Sequence, residues 1–390
     1  MVEFEYWWLL VLPLFFVLGW LAARMDIKQL LNESSALPTA YFKGLNFLIK
    51  DQRDKAIEAF LEAVKINSES LELHFALGSL FRLRGEMDRA IHLHHNLLER
   101  PQLSDVQRFA IMAELAQDYL KAGLFDRAED LFNKLRASPT YHLPALRYLL
   151  DIYIRERDWT RAIETAKDLE SQSGTSFHKE IAQFHCELAV SEASTGNIQQ
   201  TKHHLANALE ANKECVRATI MLGDLEATSG NRQKAITTWK HIEQQQPQCL
   251  GLVAERLLQN YTALDKGKEG LALLKNWMEK YRLPSVLNII YEATLTQNGT
   301  EAAANLARTE LSKKPSLNIL DSLLQARVLE NVVEKEDAAL IQGTIRHFLG
   351  SSRSYCCDQC GFRARNYYWQ CPGCNHWESF PPEPKEQTLR

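Results

Sequence analysis

The chain has 390 residues, of which 24% are charged and 45% hydrophobic, and its formal net charge is −4. That balance is ordinary for a folded protein and gives no basic stripe of the kind a nucleic-acid binder shows. With 17 glycines and 12 prolines, turn punctuation is sparse, so most of the chain is expected to be helical.

The first element is an apolar run. Tyr6 to Ala23 carries no charge and includes Trp7, Trp8 and Trp20 near its ends. At about 1.5 Å per residue such a run reaches across the hydrocarbon core of a bilayer, with tryptophans at headgroup level. A cleaved signal peptide would want a basic start, whereas Glu3 and Glu5 stand here. Residues 1–28 are therefore expected to form an uncleaved transmembrane anchor. A cleaved signal and a buried helix remain as alternatives. Arg24 and Lys28 follow the run and no basic residue precedes it, so the short N-terminus should face outward and the bulk of the chain the cytoplasm. The isolated Cys186, Cys215 and Cys249 suit a reducing compartment.

From about residue 37 the chain repeats itself. Small residues at Ala56, Ala90, Ala128, Ala162, Thr201 and Ala235 are spaced by 34, 38, 34, 39 and 34 residues. Gly85, Gly123, Gly196 and Gly230 each stand five positions before such an anchor. Gly44, Gly78, Ala116, Ala189 and Gly223 each stand twelve before one. Two short antiparallel helices with two turns need about 34 residues, and the small positions let the backbones cross closely. Pro101, Pro139, Pro247 and Pro315 fall where second helices should stop. The pattern resembles the tetratricopeptide repeat family. It implies a mainly α fold, a tetratricopeptide-repeat superhelix over 37–349 with about eight repeats, the last ones degenerate, followed by terminal helices. Leu150 departs from the pattern by standing where a small residue is expected, and beyond Gly251 the first-helix partners become large. A non-repeat helical bundle is the plain alternative.

After the Gly350-Ser351-Ser352 hinge, the composition changes. Five of the eight cysteines lie between Cys356 and Cys374, and Cys357-x-x-Cys360 is separated by ten residues from Cys371-x-x-Cys374. Two such turns converge four soft ligands on one tetrahedral ion, with the intervening residues forming a short hairpin. Gly361 and Gly373 are expected in left-handed turn positions, and Tyr367, Tyr368, Trp369 and Trp377 are expected to supply a small aromatic core. Two disulfides would be the alternative, at odds with a cytoplasmic location. The layout is similar to a rubredoxin-type knuckle, whose family includes iron carriers. The absence of a flavin or haem motif favours a structural zinc over iron. Residues 354–380 make this four-cysteine domain, and 381–390, beginning Pro381-Pro382-Glu383-Pro384, are expected to be a disordered tail.

No H-E-x-x-H, G-x-S-x-G or phosphate-cradling glycine loop is present. His92, His94 and His95, like His203 and His204, are read as exposed second-helix residues. Groove positions are assigned by register with the repeat: Arg82, Gln117, Lys121, Arg147, Asp151, Arg155, Arg217 and Asp224 on first helices, where a partner segment could lie.

The order of anchor, repeat array and terminal YCCDQCGF…YWQCPGC resembles the lipopolysaccharide assembly protein B family of Gram-negative inner membranes, over the whole chain. The resemblance assigns the metal-ligand role to Cys357, Cys360, Cys371 and Cys374. Cys356 is a departure that puts the choice between neighbours in question. It implies an adaptor without catalytic residues. Such an adaptor promotes degradation of the UDP-acyl-N-acetylglucosamine deacetylase committed to lipid A by a membrane-embedded ATP-dependent metalloprotease. It also contacts other lipopolysaccharide assembly and regulatory proteins; a homodimer is left open. Two alternatives of other classes are an iron electron carrier and a zinc ribbon that binds nucleic acid through Arg353, Arg363 and Arg365.

Overall fold

The structure is a computed structural model describing residues 39, 41–313, 316–330, 339–345, 353–383 and 385–386. The expected anchor at 1–28 and the hinge at 350–352 lie outside the described residues. Among the described residues no helix is long and apolar enough to cross a membrane.

The chain divides into two compact units between Gly174 and Thr175. In the first, helix α1 covers 41–49 and pairs with α2 (Arg53–Ile66). The pairs α3 (Leu71–Arg84) with α4 (Met87–Leu98), α5 (Asp105–Lys121) with α6 (Phe125–Leu135), and α7 (His142–Glu156) with α8 (Trp159–Ser173) follow. In the second, α9 (His178–Ser194) pairs with α10 (Ile198–Ala211). Next, α11 (Val216–Thr228) pairs with α12 (Arg232–Lys240), which runs into the short α13 (Ile242–Gln245). A 3-10 turn, Pro247–Leu252, leads to α14 (Ala254–Thr262) and α15 (Gly267–Tyr281). Then come α16 (Pro284–Asn298), α17 (Thr300–Lys313) and α18 (Leu317–Leu329). Mainly helical pairs of tetratricopeptide type thus lead to a C-terminal four-cysteine knuckle.

Helix starts and stops follow local chemistry. Ser104 caps α5 in a reciprocal box with Gln107, and Ser70, Asp158 and Asn197 accept from the backbone at their own helix starts. Between the two helices of a pair a residue of positive φ closes the turn, five before the small anchor in every pair but α16 with α17, where Gly299 stands four before Ala303. Gly85, Gly123, Gly196 and Gly230 take φ values of 86, 76, 78 and 84°. The same position is left-handed at Asp51, Arg157 and Asp265, with φ of 53, 58 and 58°. The turn geometry therefore survives where glycine does not, at about 1–2 kcal/mol of backbone strain per residue.

In every pair but α14 with α15, where Leu258 and Leu274 stand, the core rests on a volume exchange between two positions. One lies twelve residues before the anchor, on the first helix; the other lies four after it, on the second. A Cβ on Gly78 would overlap the His94 ring, one on Gly223 the Trp239 ring, and one on Gly44 would lie 2.7 Å from Phe60. Buried Ala116 shares this register with Phe132, and Ala189 with Leu205. Leu150, the apparent departure, stands opposite Ala166 in the same register, both buried. Tyr291 and Ala307 repeat that inversion within one core cluster. In each of these pairs a small residue faces a large one, and which helix carries the large one is free.

The volume exchange also corrects the reading of His94 as exposed. Its side chain is wholly buried, because it fills the space left by Gly78, and its Nδ1 meets Asp118 Oδ2 at 2.5 Å. Arg82 binds the other oxygen of Asp118 at 2.6 Å and Glu114 at 2.5 Å. His92 and His95 are exposed, as expected.

Candidate metal centre and its seat on the helical array

The knuckle is a three-stranded antiparallel sheet of order β2-β1-β3, with β1 at Arg353–Cys356, β2 at Arg363–Ala364 and β3 at Lys385–Glu386. Within the stretch expected to be a disordered tail, residues 381–383 and 385–386 are described, and Lys385–Glu386 form β3. This strand pairs with the outer edge of β1, where backbone groups would otherwise lack a partner. Residues 387–390 lie outside the described residues.

Two turns of the same design hold the cysteines. The Gly361 N–H donates to the Cys357 carbonyl at 2.9 Å, and the Asn375 N–H to the Cys371 carbonyl at 2.8 Å. Gly361 and Asn375 are left-handed, with φ of 75 and 59°. Asn375, not Gly373, holds the second left-handed position. At Gly373 a Cβ would lie 3.3 Å from the side chain of Phe362, a tight contact that this exposed ring relieves by a small shift.

The turns bring the Sγ atoms of Cys357, Cys360, Cys371 and Cys374 within 4.8 Å of one another. Cys357 and Cys374 are 3.7 Å apart, and Cys360 and Cys371 3.6 Å. A tetrahedral thiolate ion with bonds of about 2.3 Å has an S–S edge of about 3.8 Å, so the four sulfurs fit one ion of that kind. Cys356 stands apart, its Sγ beside the Gly361 carbonyl at 3.7 Å. Burial would push the Cys357 thiol up, yet the Ser379 hydroxyl and the Cys360 and Gln359 N–H groups bring it down to about 6. At Cys374 the His376 N–H lowers the thiol, but burial and the thiols of Cys360, Cys371 and Cys357 outweigh it, pushing it up to about 12. Four thiolates this close repel one another until a cation balances them.

The aromatic residues divide differently from expectation. The knuckle's own core is Cys357, Cys371 and Phe380 with Tyr355, Ala364 and Tyr367 around them. Trp369 and Trp377 face the helices instead. Trp369 packs against the cluster containing Trp239 and Trp277. Trp377 meets Phe184 edge-on at 6.3 Å, and the Arg217 guanidinium lies 5.7 Å from its ring centroid. Beside them the Gln183 amide donates to Glu378 at 2.7 Å, and the Ser285 N–H donates to Glu383 at 3.2 Å. Burial raises Glu378 above the usual carboxylate range, against the pull of Gln183.

The groove positions assigned by register separate into three kinds. Arg82 is held in the Asp118–Glu114 network, and Arg217, also paired with Glu187 at 2.7 Å, lies beneath the knuckle. Asp151 pairs with Arg155 at 3.0 Å, and Asp224 with Arg256 at 3.1 Å. Lys121 and Arg147 are exposed, and Gln117 lines a cavity of about 290 Å³ in the first unit with Phe75, Ala110, Ala113, Pro144 and Tyr148. Counted back from the small anchor of its own pair, Ala110 and Pro144 stand eighteen residues before it, as Gln183 and Arg217 do. The register that carries the knuckle in the second unit thus holds the small Ala110 and the cyclic Pro144 in the third and fourth pairs, and Glu72 in the second. Gln183, Phe184, Ser285 and Glu378 were missed in the sequence. Gln183 and Ser285 stand eighteen before Thr201 and Ala303, the register of Arg217, which could have pointed to both; Phe184 and Glu378 carry no such signal.

Residues 355–382 match the family described as a rubredoxin metal binding domain, and residues 43–95 and 114–176 match the tetratricopeptide repeat. The chain is 31% identical over 376 residues to lipopolysaccharide assembly protein B of Escherichia coli K12, covering 96% of this chain and 97% of that protein. It is 29% identical over 384 residues to the protein of the same name from Haemophilus influenzae, with the same coverage of 96% and 97%. A tetratricopeptide repeat protein from Parabacteroides merdae aligns in structure at 17% identity over 75% of this chain and 99% of that one. Its TM-score of 0.26 is too low to bear on the fold.

Proposed function

We propose, since this chain belongs to the lipopolysaccharide assembly protein B family, that it is a non-catalytic adaptor in lipopolysaccharide assembly. Residues 1–28 hold it at the inner membrane with the short N-terminus outside and the rest in the cytoplasm. There it presents the deacetylase committed to lipid A to a membrane-embedded ATP-dependent protease. The observation that carries this reading is similarity over 96% of the chain to a protein bearing that name, in a chain whose repeat matches precede its rubredoxin-type match.

Cys357, Cys360, Cys371 and Cys374 would hold one ion, zinc in preference to iron, and the ion would supply charge balance and much of the folding free energy of so small a domain. Four thiolates surround it with no open position for a substrate, which suits a structural role. The first unit is the partner surface in this reading. Its cavity of about 290 Å³ offers an apolar slot, with Gln117 inside and Lys121 and Arg147 exposed on the same first helices. Confinement to the membrane raises the effective concentration of adaptor and protease, so weak contacts suffice.

The test is a translation-block chase of the deacetylase in Gram-negative cells lacking their own family member. Expression of this chain should shorten the deacetylase half-life, and removal of residues 1–28 should abolish the effect. A half-life unchanged by normal amounts of membrane-inserted chain would sink the reading.

A further inference from the structure

Two cysteines outside the knuckle lie under its seat. Cys186 on α9 and Cys215, the residue preceding α11, are both wholly buried in one cluster with Ala182, Ala189 and Ala218. Their Sγ atoms are 3.9 Å apart, although 29 residues separate them in the chain. Gln183 bridges the pair to the knuckle, its Nε2 lying 3.7 Å from Cys215 Sγ and 2.7 Å from Glu378 Oε1. The Gln183 carbonyl in turn accepts from Arg217 at 3.3 Å, beneath Trp377.

The two sulfurs differ in character. Either thiol can donate to the other, and Cys215 also accepts from the Gln183 amide. The Cys186 contact and the Ala218 N–H at the start of α11 lower the Cys215 thiol in spite of burial, while the same contact and desolvation raise Cys186. A lowered thiol beside a protonated one is the arrangement of an attacking and a resolving cysteine. Buried thiols are inert only while covered. Here the cover includes a side chain tied to the knuckle.

We propose that Cys186 and Cys215 form an oxidation site, a dithiol that peroxide closes to a disulfide when the knuckle leaves its seat. The Cys215 thiolate attacks one peroxide oxygen. The O–O bond breaks, and the departing hydroxide takes a proton to leave as water, giving a sulfenic acid. The Cys186 sulfur then attacks Cys215 Sγ; the S–O bond breaks, and hydroxide leaves with the Cys186 proton as a second water. Two thiols lose two electrons and peroxide gains them. The disulfide ties the first helices of adjacent pairs together and takes from Gln183 the sulfur it leans on, so oxidation and knuckle seating oppose each other.

The experiment compares purified full-length chain with the Trp377→Ala/Glu378→Ala variant, both metal-loaded. Each is exposed to hydrogen peroxide, alkylated under denaturing conditions and mapped by mass spectrometry. A Cys186–Cys215 linked peptide should form slowly in the native chain and at least tenfold faster in the variant. Cys249 donates to Gln246 at 3.3 Å and burial pushes its thiol up to about 12, so it should be recovered alkylated in both. In a Cys186→Ser chain, a sulfenic-acid-trapping dione should label Cys215. Equal linkage rates in the two proteins would overturn the covering role. Recovery of Cys186 and Cys215 as free thiols in both, after prolonged exposure, would overturn the site. Should the double variant fold poorly by circular dichroism, Gln183→Ala removes the bridge alone and must accelerate linkage.

Discussion

Gln183 donates to the Glu378 carboxylate at 2.7 Å, joining the first helix of the fifth pair to the knuckle across 195 residues of chain. Glu378 reaches that amide from a left-handed backbone, with φ of 50°, immediately after the Trp377 ring that covers Arg217. The pair makes the folding of the four-cysteine turns felt in the helical array.

Removing the metal should therefore loosen helices that hold no ligand. A hydrogen bond to a buried charged group contributes about 1.5–3 kcal/mol, so its loss raises local opening roughly 10- to 150-fold. Chelation, or Cys371→Ser with Cys374→Ser, should accelerate amide exchange around Gln183 and Arg217 by at least tenfold and leave α3 to α6 unchanged. Exchange unaltered in α9 and α11 would show that the seat holds without the ion.

Glu226 provides a second handle, through pH. It is 2% exposed, and hydrogen bonds from Lys202, Lys234 and Asn231 hold its carboxyl down at about 2. A carboxyl lowered by folding stabilises the protein above the unfolded value of about 4.3, and that contribution fades as pH falls toward the folded value. Lys202 and Lys234 are 41% and 67% exposed, so water screens the pairs. Glu226→Gln should cost about 1–2 kcal/mol at pH 7, after that discount, and almost nothing near pH 2. Urea unfolding of both proteins across that range checks the difference, in which any acid effect on the knuckle cancels.

The repeat was legible because it depends on one position per helix. Gly85 and Gly78 mark a turn and a crossing, and their spacing survives inspection by eye. What hid the rest was compensation. Arg157 holds a glycine's backbone conformation, and Leu150 with Ala166 sets a large residue against a small one in reversed order. His94 read as surface because its carboxylate, Asp118, stands 24 residues away on the next pair. At the knuckle, C-x-x-C spacing gave the four sulfurs, since local turns alone set their convergence. The destinations of Trp369 and Trp377 depend on helices far away in sequence, and spacing carries no trace of them.

Volume exchange makes a strong prediction in the fourth pair. Leu150→Ala should leave a cavity costing about 2–5 kcal/mol, and Ala166→Leu should overpack by about 1–3 kcal/mol. Made together, they restore the order found at Ala116 and Phe132. The double variant should be more stable than the sum of the singles by at least about 1 kcal/mol. Additive losses in chemical unfolding would mean that the two positions do not face one another.

Gly78 tests the same rule where no inversion is available. A Cβ there must displace His94, whose imidazole is fixed by Asp118 at 2.5 Å. Gly78→Ala should therefore destabilise by about 1–3 kcal/mol through overpacking. Gly85→Ala meets open space and costs only the strain of a left-handed alanine at φ 86°, about 1–2 kcal/mol. Combining Gly78→Ala with His94→Ala should recover part of the first loss, whereas Gly85→Ala should gain nothing from it. Thermal midpoints of the four chains separate overlap from strain.

The partner surface makes the last prediction, and charge decides it. Arg147 is exposed and carries no ion pair among the described residues, while Arg155 is paired with Asp151 at 3.0 Å. Exposed charges at the edge of an interface act mainly on encounter rate and salt dependence. Arg147→Glu should therefore weaken crosslinked recovery of the deacetylase or protease from membranes more than Arg155→Glu does, and the deficit should shrink as salt rises. Filling the neighbouring cavity by Ala113→Leu should act differently, lowering recovery at every salt concentration, because it removes an apolar slot and leaves the charges in place. If the Arg147→Glu/Arg155→Glu chain recovered its partners as fully as the native chain at low salt, docking would have to be sought away from the first helices of the first unit.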